Sequence, residues 1–578
     1  MLTPTHSLIL SLAAGMPCGL AAAQHDGVLD RVPADAPMVV SIASVSSVFA
    51  DANAFAQAAG ITDMVMGVSM AQGMLALPGL DADRAAAFVF NSLDGWDDTD
   101  EPPMVALVPV SDYNVLTTSL GGTGEGVESL DFQGQPVFVK DIGGGYAVTG
   151  PTQELVEGFT AAEGAWADHQ AAIGSEGQAL AGEHGVMISV SVDAFADTML
   201  EGWEMASQQM QMMAQMGGAQ ADQLEGQMEL GDTVVRGFAR DGQRGILGVT
   251  MDGRGVSLDL GASFKDGSEI AGFFADSSPA GDMLGMLPGG DYIFAWALNS
   301  TGEGIGTLMA NMAEAGQGQG LPGVDMSQIF SEANGMAQVI GSNPAGIMAG
   351  LFTNTTTVIS ADDASAFIGS YGESVAAMND TDANGMLITS SFDDEPTEVA
   401  GVQAYGWSIG MMPDMNAPGA MQMQMMMPMM FGGGSNGPNG YVAATDEDTV
   451  VMTYTRANNA VQAAVDAATN GGDLTANELL TAQADRLPSD AFMIAYVDLG
   501  TIARSMLPMA GMFAPELAQI QVPEAVSPVA FATTASGGSM AVRTVVPMDV
   551  ITTVRDIAET MNGAGGGGMQ DGGGQPEF

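Results

Sequence analysis

The sequence predicts an α+β protein that is built from two halves of the same design. Three observations lead to this prediction: short apolar runs bounded by turn residues, aspartates placed where helices begin, and one order of segments that occurs twice. Each half is expected to be an antiparallel or mixed sheet with helices packed on it. The 578 residues are enough for two or more domains.

Three apolar runs follow a proline-containing turn, and they are predicted to be strands. Each turn opens with Leu or Val and then proline, and the runs cover residues 38–42, 292–296 and 491–497. Proline fixes the turn and cannot donate a sheet hydrogen bond, so it marks the start of a strand. Because the runs are short and bounded, they favour buried strands over helices.

Aspartates close several of these runs and predict helix starts. Asp112, Asp193, Asp363 and Asp498 each follow an apolar run, and a carboxylate at this position can cap a helix.

A glycine–tyrosine strand precedes a helical pattern in both halves. Residues 145–149 resemble residues 440–444, and the helices are predicted to start at Gln153 and Asn458. Each half ends in a predicted hairpin, at residues 246–264 and 529–546, with glycine-rich turns at 252–255 and 536–538.

This order predicts a tandem duplication with four parts. Residues 1–23 are expected to be a signal peptide, 24–280 the first half, 281–564 the second half, and 565–578 a disordered glycine-rich tail. A segment rich in Met and Gln, residues 199–228, is predicted to be a helix, and residues 411–431 are denser still in methionine.

The first residues predict export. An apolar run at residues 8–16 precedes Ala21, Ala22 and Ala23, which form the small-residue pattern of a signal peptidase site. Cys18 is the single cysteine, so the mature chain is expected to have neither a disulfide nor a thiolate site. We expect a periplasmic, cell-envelope or extracellular location, and no transmembrane segment in the mature chain.

The charge limits the partners. Asp and Glu total 69 against 13 Lys and Arg, which gives a formal net charge of -56. Such a field repels phosphate backbones, so nucleic acid is not expected as a partner, whereas cations and basic protein surfaces are. Adaptation of a solvated surface to salt accounts for the same acidity.

Residues 32–42, a proline turn and strand just after the predicted leader, resemble a family of large exported bacterial proteins. That family is known only as a domain of unknown function. The resemblance implies export and α+β modules, and it carries no activity and no site residues to this chain.

Motifs for catalysis are weak. His169 and His184 could act as general bases, but no nucleophile motif lies near them, and His184 is interpreted as a loop histidine in a polar turn. Residues 318–323 spell G-x-G-x-x-G, yet they follow a helical pattern rather than a strand, and Pro322 interrupts the expected helix start.

Calcium has a better case. Asp380, Asp382 and Asn384 match the first half of an EF-hand loop, with Gly385 at the sharp turn. The twelfth position is Ser391 rather than glutamate, which departs from that pattern, and a solvated acidic turn is the alternative interpretation. A second acidic loop, residues 94–101, has a weaker case.

The methionine clusters could bind Cu(I), because thioethers are soft ligands. The alternative is that methionine fills gaps and forms adaptable surfaces. The candidate ligands are Met210, Met212, Met213 and Met216, or the methionines of residues 421–430.

The sequence therefore predicts a non-enzymatic exported protein with a scaffold or binding role. Two alternatives stay open: a metal-binding protein that holds calcium or copper, and a hydrolase that uses carboxylates alone.

Overall fold

The computed structural model describes residues 25–92, 103–132, 134–217, 221–315, 332–343, 349–383, 386–415, 420–432, 436–513 and 520–565. The chain divides into two compact units. The first contains Met1–Ser278, Gly302–Leu308 and Ala532–Val545, and the second contains Pro279–Thr301, Met309–Phe531 and Val546–Phe578. A short segment near the carboxyl end of the chain therefore belongs to the first unit. The predicted leader, residues 1–23, lies outside the described residues.

The elements of the amino-terminal part alternate between short strands and helices. In chain order they are α1 (Asp26–Leu29), β1 (Met38–Ile42), α2 (Val45–Ala59), α3 (Thr62–Leu75), β2 (Ala86–Phe90), β3 (Met104–Pro109), α4 (Tyr113–Ser119), β4 (Val127–Phe132), β5 (Gln135–Gly143), β6 (Tyr146–Gly150), α5 (Gln153–Gly158), α6 (Trp166–Glu183), β7 (Val186–Ser191), α7 (Val192–Gly217), α8 (Ala221–Asp241), β8 (Gly242–Asp252), β9 (Gly255–Phe264) and α9 (Glu269–Phe273).

The remaining elements follow the same alternation. They are α10 (Gly281–Leu284), β10 (Tyr292–Asn299), α11 (Glu303–Ala315), β11 (Ala333–Gly341), β12 (Thr355–Ala361), α12 (Ala364–Ala377), β13 (Thr381–Ala383), β14 (Met386–Phe392), β15 (Thr397–Val399), β16 (Val402–Pro413), α13 (Ala420–Phe431), β17 (Asn439–Ala444), β18 (Thr449–Thr453), α14 (Asn458–Asn470), a 3-10 turn (Leu474–Ala476), α15 (Glu478–Ala484), β19 (Met493–Val497), α16 (Leu499–Phe513), β20 (Val529–Ser536), β21 (Ser539–Pro547) and α17 (Met548–Gly565). Helices with antiparallel sheets place the protein in the α+β class.

The first unit is built on an antiparallel sheet. Neighbouring strands run in the order β4–β5–β6–β3–β2–β1–β7–β8–β9. Strand β21 pairs with β9 and extends this sheet. In the centre, Val40 of β1 lies opposite Phe88 on one side and Ile188 on the other.

The second unit has its own antiparallel order. Its strands run β14–β16–β17–β18–β12–β11–β10–β19, with β13 beside β14 and β15 beside β16. Seven of these strands, in the order β16–β17–β18–β12–β11–β10–β19, repeat the order β4–β5–β6–β3–β2–β1–β7 of the first unit. The evolutionary duplication itself stays a prediction.

One part of the predicted correspondence is displaced by a strand. Strand β6, which carries Tyr146, pairs with β3, and the strand that pairs with β12 in the second unit is β18. Tyr441 lies on β17, which occupies the place of β5. The repeated Gly–Tyr dipeptide therefore does not mark equivalent strands.

Alternating burial produces the cores. In the first unit Val39, Leu107, Val148, Ile173 and Met187 belong to one buried cluster. In the second unit the cluster is more aromatic: the Trp407 ring meets the rings of Tyr371 and Tyr454 edge-on, at centroid distances of 6.2 and 5.2 Å. Burial of apolar area on this scale stabilises each unit without disulfides.

The predicted caps are confirmed at three positions. The Asp112 carboxylate accepts a hydrogen bond from the Val115 N–H, and Asp363 accepts from the N–H groups of Ser365 and Ala366. Asp498 accepts from the Thr501 N–H at 2.7 Å.

The fourth predicted cap, Asp193, is wrong. Strand β7 ends at Ser191 and α7 begins at Val192, so no extended residue separates them. Asp193 lies in the first turn of the helix, where its negative charge still suits the positive end of the helix dipole.

The two predicted hairpin turns are observed, whereas the segment 199–228, predicted as one helix, is divided between two helices. Strands β8 and β9 flank residues 253–254, and β20 and β21 flank Gly537 and Gly538, which both have positive φ. Helices α7 and α8 cover the Met/Gln-rich segment except residues 218–220, which lie outside the described residues. Gly565 is the last residue of α17, and residues 566–578 also lie outside them.

Candidate functional site

A cluster of ionisable side chains forms where α6, the β8–β9 hairpin and β21 meet in the first unit. Its members are Glu183, His184, Asp259 and Arg543. In the part of the chain that the structure describes, Glu183, His184 and Asp259 are the group of three whose ligand atoms are close enough for one metal ion, all within 4.8 Å of one another.

Local backbone geometry positions the histidine. Helix α6 ends at Glu183, and His184 adopts an extended conformation that turns the chain into β7. The imidazole lies directly over Gly248 of β8, where a Cβ atom would collide with the ring. Glycine at position 248 therefore makes room for the buried His184 side chain.

The aspartate is placed by a strand whose alternation is inverted. In β9, Ser257 and Asp259 point into the unit, while Leu258 and Leu260 are exposed on the other face. Asp259 lies opposite Gly248 in the β8–β9 pairing and has no exposed surface. A carboxylate in such a position requires charged or polar partners.

Arginine and histidine supply these partners. The Arg543 Nε donates to both Asp259 oxygens, at 3.0 and 2.9 Å, and its Nη2 lies 2.7 Å from Asp259 Oδ2. The same Nη2 donates to the Glu183 carboxylate, and the His184 Nε2 contacts Asp259 Oδ2. The His184 Nδ1 is 2.7 Å from the Thr250 hydroxyl.

The pKa of Arg543 reflects two opposed effects. Burial lowers this pKa, but the hydrogen bond and charge of Asp259 and the charge of Glu183 raise it by more. The guanidinium therefore stays charged at any pH at which the unit is folded.

A second histidine lies against this cluster. The His25 Nε2 donates to the His184 backbone carbonyl at 2.8 Å, and its Nδ1 finds no hydrogen-bond partner among the described residues. Burial lowers the pKa of His25 to about 4, so the ring is neutral at pH 7. Burial also lowers the pKa of His169, whose Nε2 donates to the Val32 carbonyl at 2.9 Å.

A buried carboxylate lies two turns earlier on α6. Glu176 accepts from the hydroxyls of Thr534 and Ser536, each at 2.5 Å, and its backbone N–H donates to the Ser539 hydroxyl at 3.1 Å. Gly174, with φ of 68°, kinks α6 and leaves space for Ser539. Residues of α6 thus hold both the turn and the far end of the β20–β21 hairpin.

We call the set Glu176, Glu183, His184, Asp259 and Arg543 the hairpin latch. The guanidinium of Arg543 bridges the two carboxylates that a metal ion would need, and a cation beside it would be repelled. Asp259 is sealed from solvent, and both ring nitrogens of His184 are engaged. The latch therefore joins α6, the β8–β9 hairpin and β21.

The predicted calcium residues are only partly described. Asp380 has a positive φ of 60°, and its N–H donates to the Ile388 carbonyl at 2.9 Å. Asp382 lies in β13, which pairs with β14, and Asn384 lies outside the described residues. This segment is a short hairpin, and calcium binding there stays a prediction.

Other predicted sites have mixed outcomes. The acidic loop at residues 94–101 and the glycine motif at residues 318–323 lie outside the described residues, as do the side chains of Met213 and Met216. His184 lies in the turn between α6 and β7, as its interpretation as a loop histidine requires, and its side chain is buried and bound to Asp259.

Exposed methionines form a second candidate feature, and they occur on helices. These side chains are Met66 and Met70 on α3, Met205 and Met212 on α7, and Met421, Met425 and Met426 on α13, with exposed fractions between 47% and 75%. Methionine makes adaptable apolar contacts. Among the described residues, no helix combines the length and apolarity needed to cross a membrane.

Comparison with known proteins gives no identity. No protein-family model and no curated protein matches the chain. Among solved structures, crystal form III of TP0453 matches with 8% identity, 48% coverage of this chain, 98% coverage of that chain and a TM-score of 0.22. Crystal form I of TP0453 matches with 8% identity, 49% and 99% coverage and a TM-score of 0.21. Similarity at this level carries no argument about fold or function.

Proposed function

We propose that the protein is an exported, non-enzymatic binding protein of the cell envelope, which holds partner proteins through its methionine-bearing helices. The observation that carries the proposal is the exposure of large methionine side chains on α3, α7 and α13. A flexible thioether can adapt to partner surfaces of different shape, as methionine-rich binding surfaces do.

The contacts of the hairpin latch support a structural role for this group of ionisable residues. Arg543 bridges Asp259 and Glu183, so these two carboxylates are not placed for a hydrolase, which needs a free pair on either side of a substrate bond. The acidic surface adds a preference for basic partners. The two units would be duplicated modules, and the shared order of seven strands supports this part of the proposal.

Photo-cross-linking in the native host tests the binding role. Photoactivatable methionine replaces methionine throughout the full chain, and cross-linked peptides are mapped by mass spectrometry. We expect cross-links to partner proteins at Met66, Met70, Met205 and Met421. The buried Met187 serves as an internal control, because its side chain is 2% exposed and should give none.

Two results would contradict the proposal. One is a reproducible hydrolase or transferase activity of the purified chain, and the other is an absence of partner cross-links at every exposed methionine. Amino-terminal sequencing of the host protein tests export separately: we expect a start at Gln24, whereas a chain that retains residues 1–23 in the cytoplasm would contradict that part.

A further inference from the structure

Helices α7 and α8 form a hairpin whose inner face is fixed. Val192 at the start of α7 lies against Gly242, the residue that follows α8. Midway along the pair, the Trp203 Nε1 donates to the Asp232 carboxylate at 3.2 Å, and the indole covers Gly231 so closely that a Cβ there would collide with it. The side of α7 that carries Trp203 therefore faces α8.

The opposite side of α7 is exposed and carries two methionines, with the exposed Gln208 and Gln209 between them. Met205 lies two residues after Trp203, which is about 200° around an α-helix. Met212 lies seven residues further, almost directly above Met205 on the same side. Glu201 lies one turn before Met205. Met205 is 68% exposed and Met212 59% exposed, and Glu201 is also exposed.

The charge around this face is of one sign. Asp193, Asp197, Glu201 and Glu204 are exposed on α7, and Asp193 pairs with Lys265. The sequence of α7, residues 192–217, contains no Lys, Arg or His. A partner that fits must bring positive charge, which excludes anionic lipid surfaces, and a second copy of this chain would be repelled by its own charge of -56.

We propose that the α7 face of Glu201, Met205 and Met212 binds an amphipathic helix of a partner protein, and this proposal rests on the proposed function. The partner helix carries Lys or Arg beside an apolar stripe. Methionines seven residues apart match the spacing at which a packed helix repeats its own contacts. The carboxylates of Glu201 and Glu204 flank this stripe and pair with the basic residues of the partner helix.

Binding of designed peptides to the full chain tests the inference. The probes are a labelled Lys/Leu amphipathic helix of about five turns and a Glu/Leu helix with the same apolar stripe. Fluorescence anisotropy should show saturable binding of the Lys/Leu peptide only. The variant Met205→Gln/Met212→Gln should raise the dissociation constant of the Lys/Leu peptide about tenfold. The variant Glu201→Gln/Glu204→Gln should also raise this dissociation constant and make it depend less on the salt concentration.

The matched control is Val234→Gln on α8, an exposed apolar side chain outside the three helices with exposed methionines, which should leave peptide binding unchanged. Thermal unfolding of each variant confirms that these exposed substitutions leave the fold intact. Equal binding of both peptides, or a Met205→Gln/Met212→Gln variant that binds like the original chain, would overturn the inference.

Other outcomes separate the inference from the proposed function. If neither peptide binds, or if Val234→Gln weakens binding as much as Met205→Gln/Met212→Gln does, the α7 inference fails, while photo-cross-links at other methionines would still uphold the binding role. Sedimentation could instead detect self-association of the chain. If Met205→Gln/Met212→Gln abolishes that self-association, a second copy is the occupant of the α7 face and the inference is overturned. Absence of both peptide binding and cross-links removes the two together.

Discussion

At the scale of single residues, the first unit buries side chains that carry or could carry charge. Asp259 is stable in the interior because Arg543 and His184 satisfy its oxygens, whereas His25 is stable there because it is neutral. Burial depresses the pKa of His25 to about 4, so protonation costs folding free energy.

We therefore predict that His25 makes the first unit less stable as the pH falls. His25 binds a proton near pH 6.5 in the unfolded chain and only near pH 4 in the folded chain. The free energy of unfolding is therefore unaffected by His25 above pH 6.5 and falls progressively between pH 6.5 and pH 4. A shift of this size corresponds to about 3 kcal/mol. Urea unfolding at pH 7 and pH 4.5 measures the loss.

His25→Gln is the matched variant, since its amide can still donate to the His184 carbonyl but does not titrate. The variant should lose less stability than the original chain between the two pH values. An identical loss in both proteins would show that other groups, such as His169, account for the whole acid response.

At the scale of secondary structure, the sequence predicts the strands better than their faces. Proline turns locate the starts of β1 and β10 because proline restricts the backbone wherever it occurs. The alternation of leucine and polar residues in β9 would suggest that the leucines are buried. In the structure Leu258 and Leu260 are exposed and Asp259 is buried. The reason is tertiary: His184 and Arg543 come from other segments, and their partnership is not visible in local sequence.

The same limit applies to the latch as a whole. Helix α6 and strand β21 are each predictable as elements, but the contact between Glu183 and Arg543 joins residues 360 positions apart. A spacing motif cannot reveal such a pair. The one local signal is glycine at positions 174 and 248, where close neighbours exclude a side chain.

The α7–α8 hairpin allows a prediction at this scale. Gly231→Ala should destabilise the protein, because the new methyl group collides with the Trp203 indole, which a hydrogen bond to Asp232 holds in place. Gly202→Ala in α7 has open space around its Cβ and should instead stabilise the helix by about 0.5–1 kcal/mol. Thermal unfolding compares them, and a stabilising Gly231→Ala would show that the two helices do not pack through Trp203.

At the scale of the whole molecule, the first unit is completed by residues that come from the end of the chain. Ala532–Val545 belongs to that unit, and the latch holds it through Glu176, Glu183 and Asp259. The predicted division into contiguous halves does not include this feature, because composition and linker signals locate breaks in the chain and not the destination of a returning segment.

Arg543→Met should therefore destabilise the first unit by about 3–5 kcal/mol, since it leaves the buried Asp259 charge without its arginine. Arg555→Met is the matched control: Arg555 pairs with Asp556 and Glu559 near the surface, and its loss should cost much less. Hydrogen exchange of peptides from residues 174–184 and 242–264 reports on the first unit, and peptides from residues 546–560 report on the segment of the second unit that carries Arg555.

The double variant Arg543→Met/Asp259→Asn should recover part of the lost stability, because it removes the unpaired charge. If Arg543→Met and Arg555→Met cost the same, the latch contributes no more than an exposed ion pair.

The returning hairpin also sets an order of events in synthesis. Because the chain is made, and on the proposed function exported, amino end first, Arg543 emerges 284 residues after its partner Asp259. At about 5–20 residues per second, the aspartate waits on the order of 15–60 seconds for its arginine. During this interval the edge of β9 has no neighbour, and the nascent chain exposes an unfinished sheet edge that other polypeptides could pair with. Slow elongation between codons 260 and 543 would therefore lower the yield of soluble protein before any folded property changes.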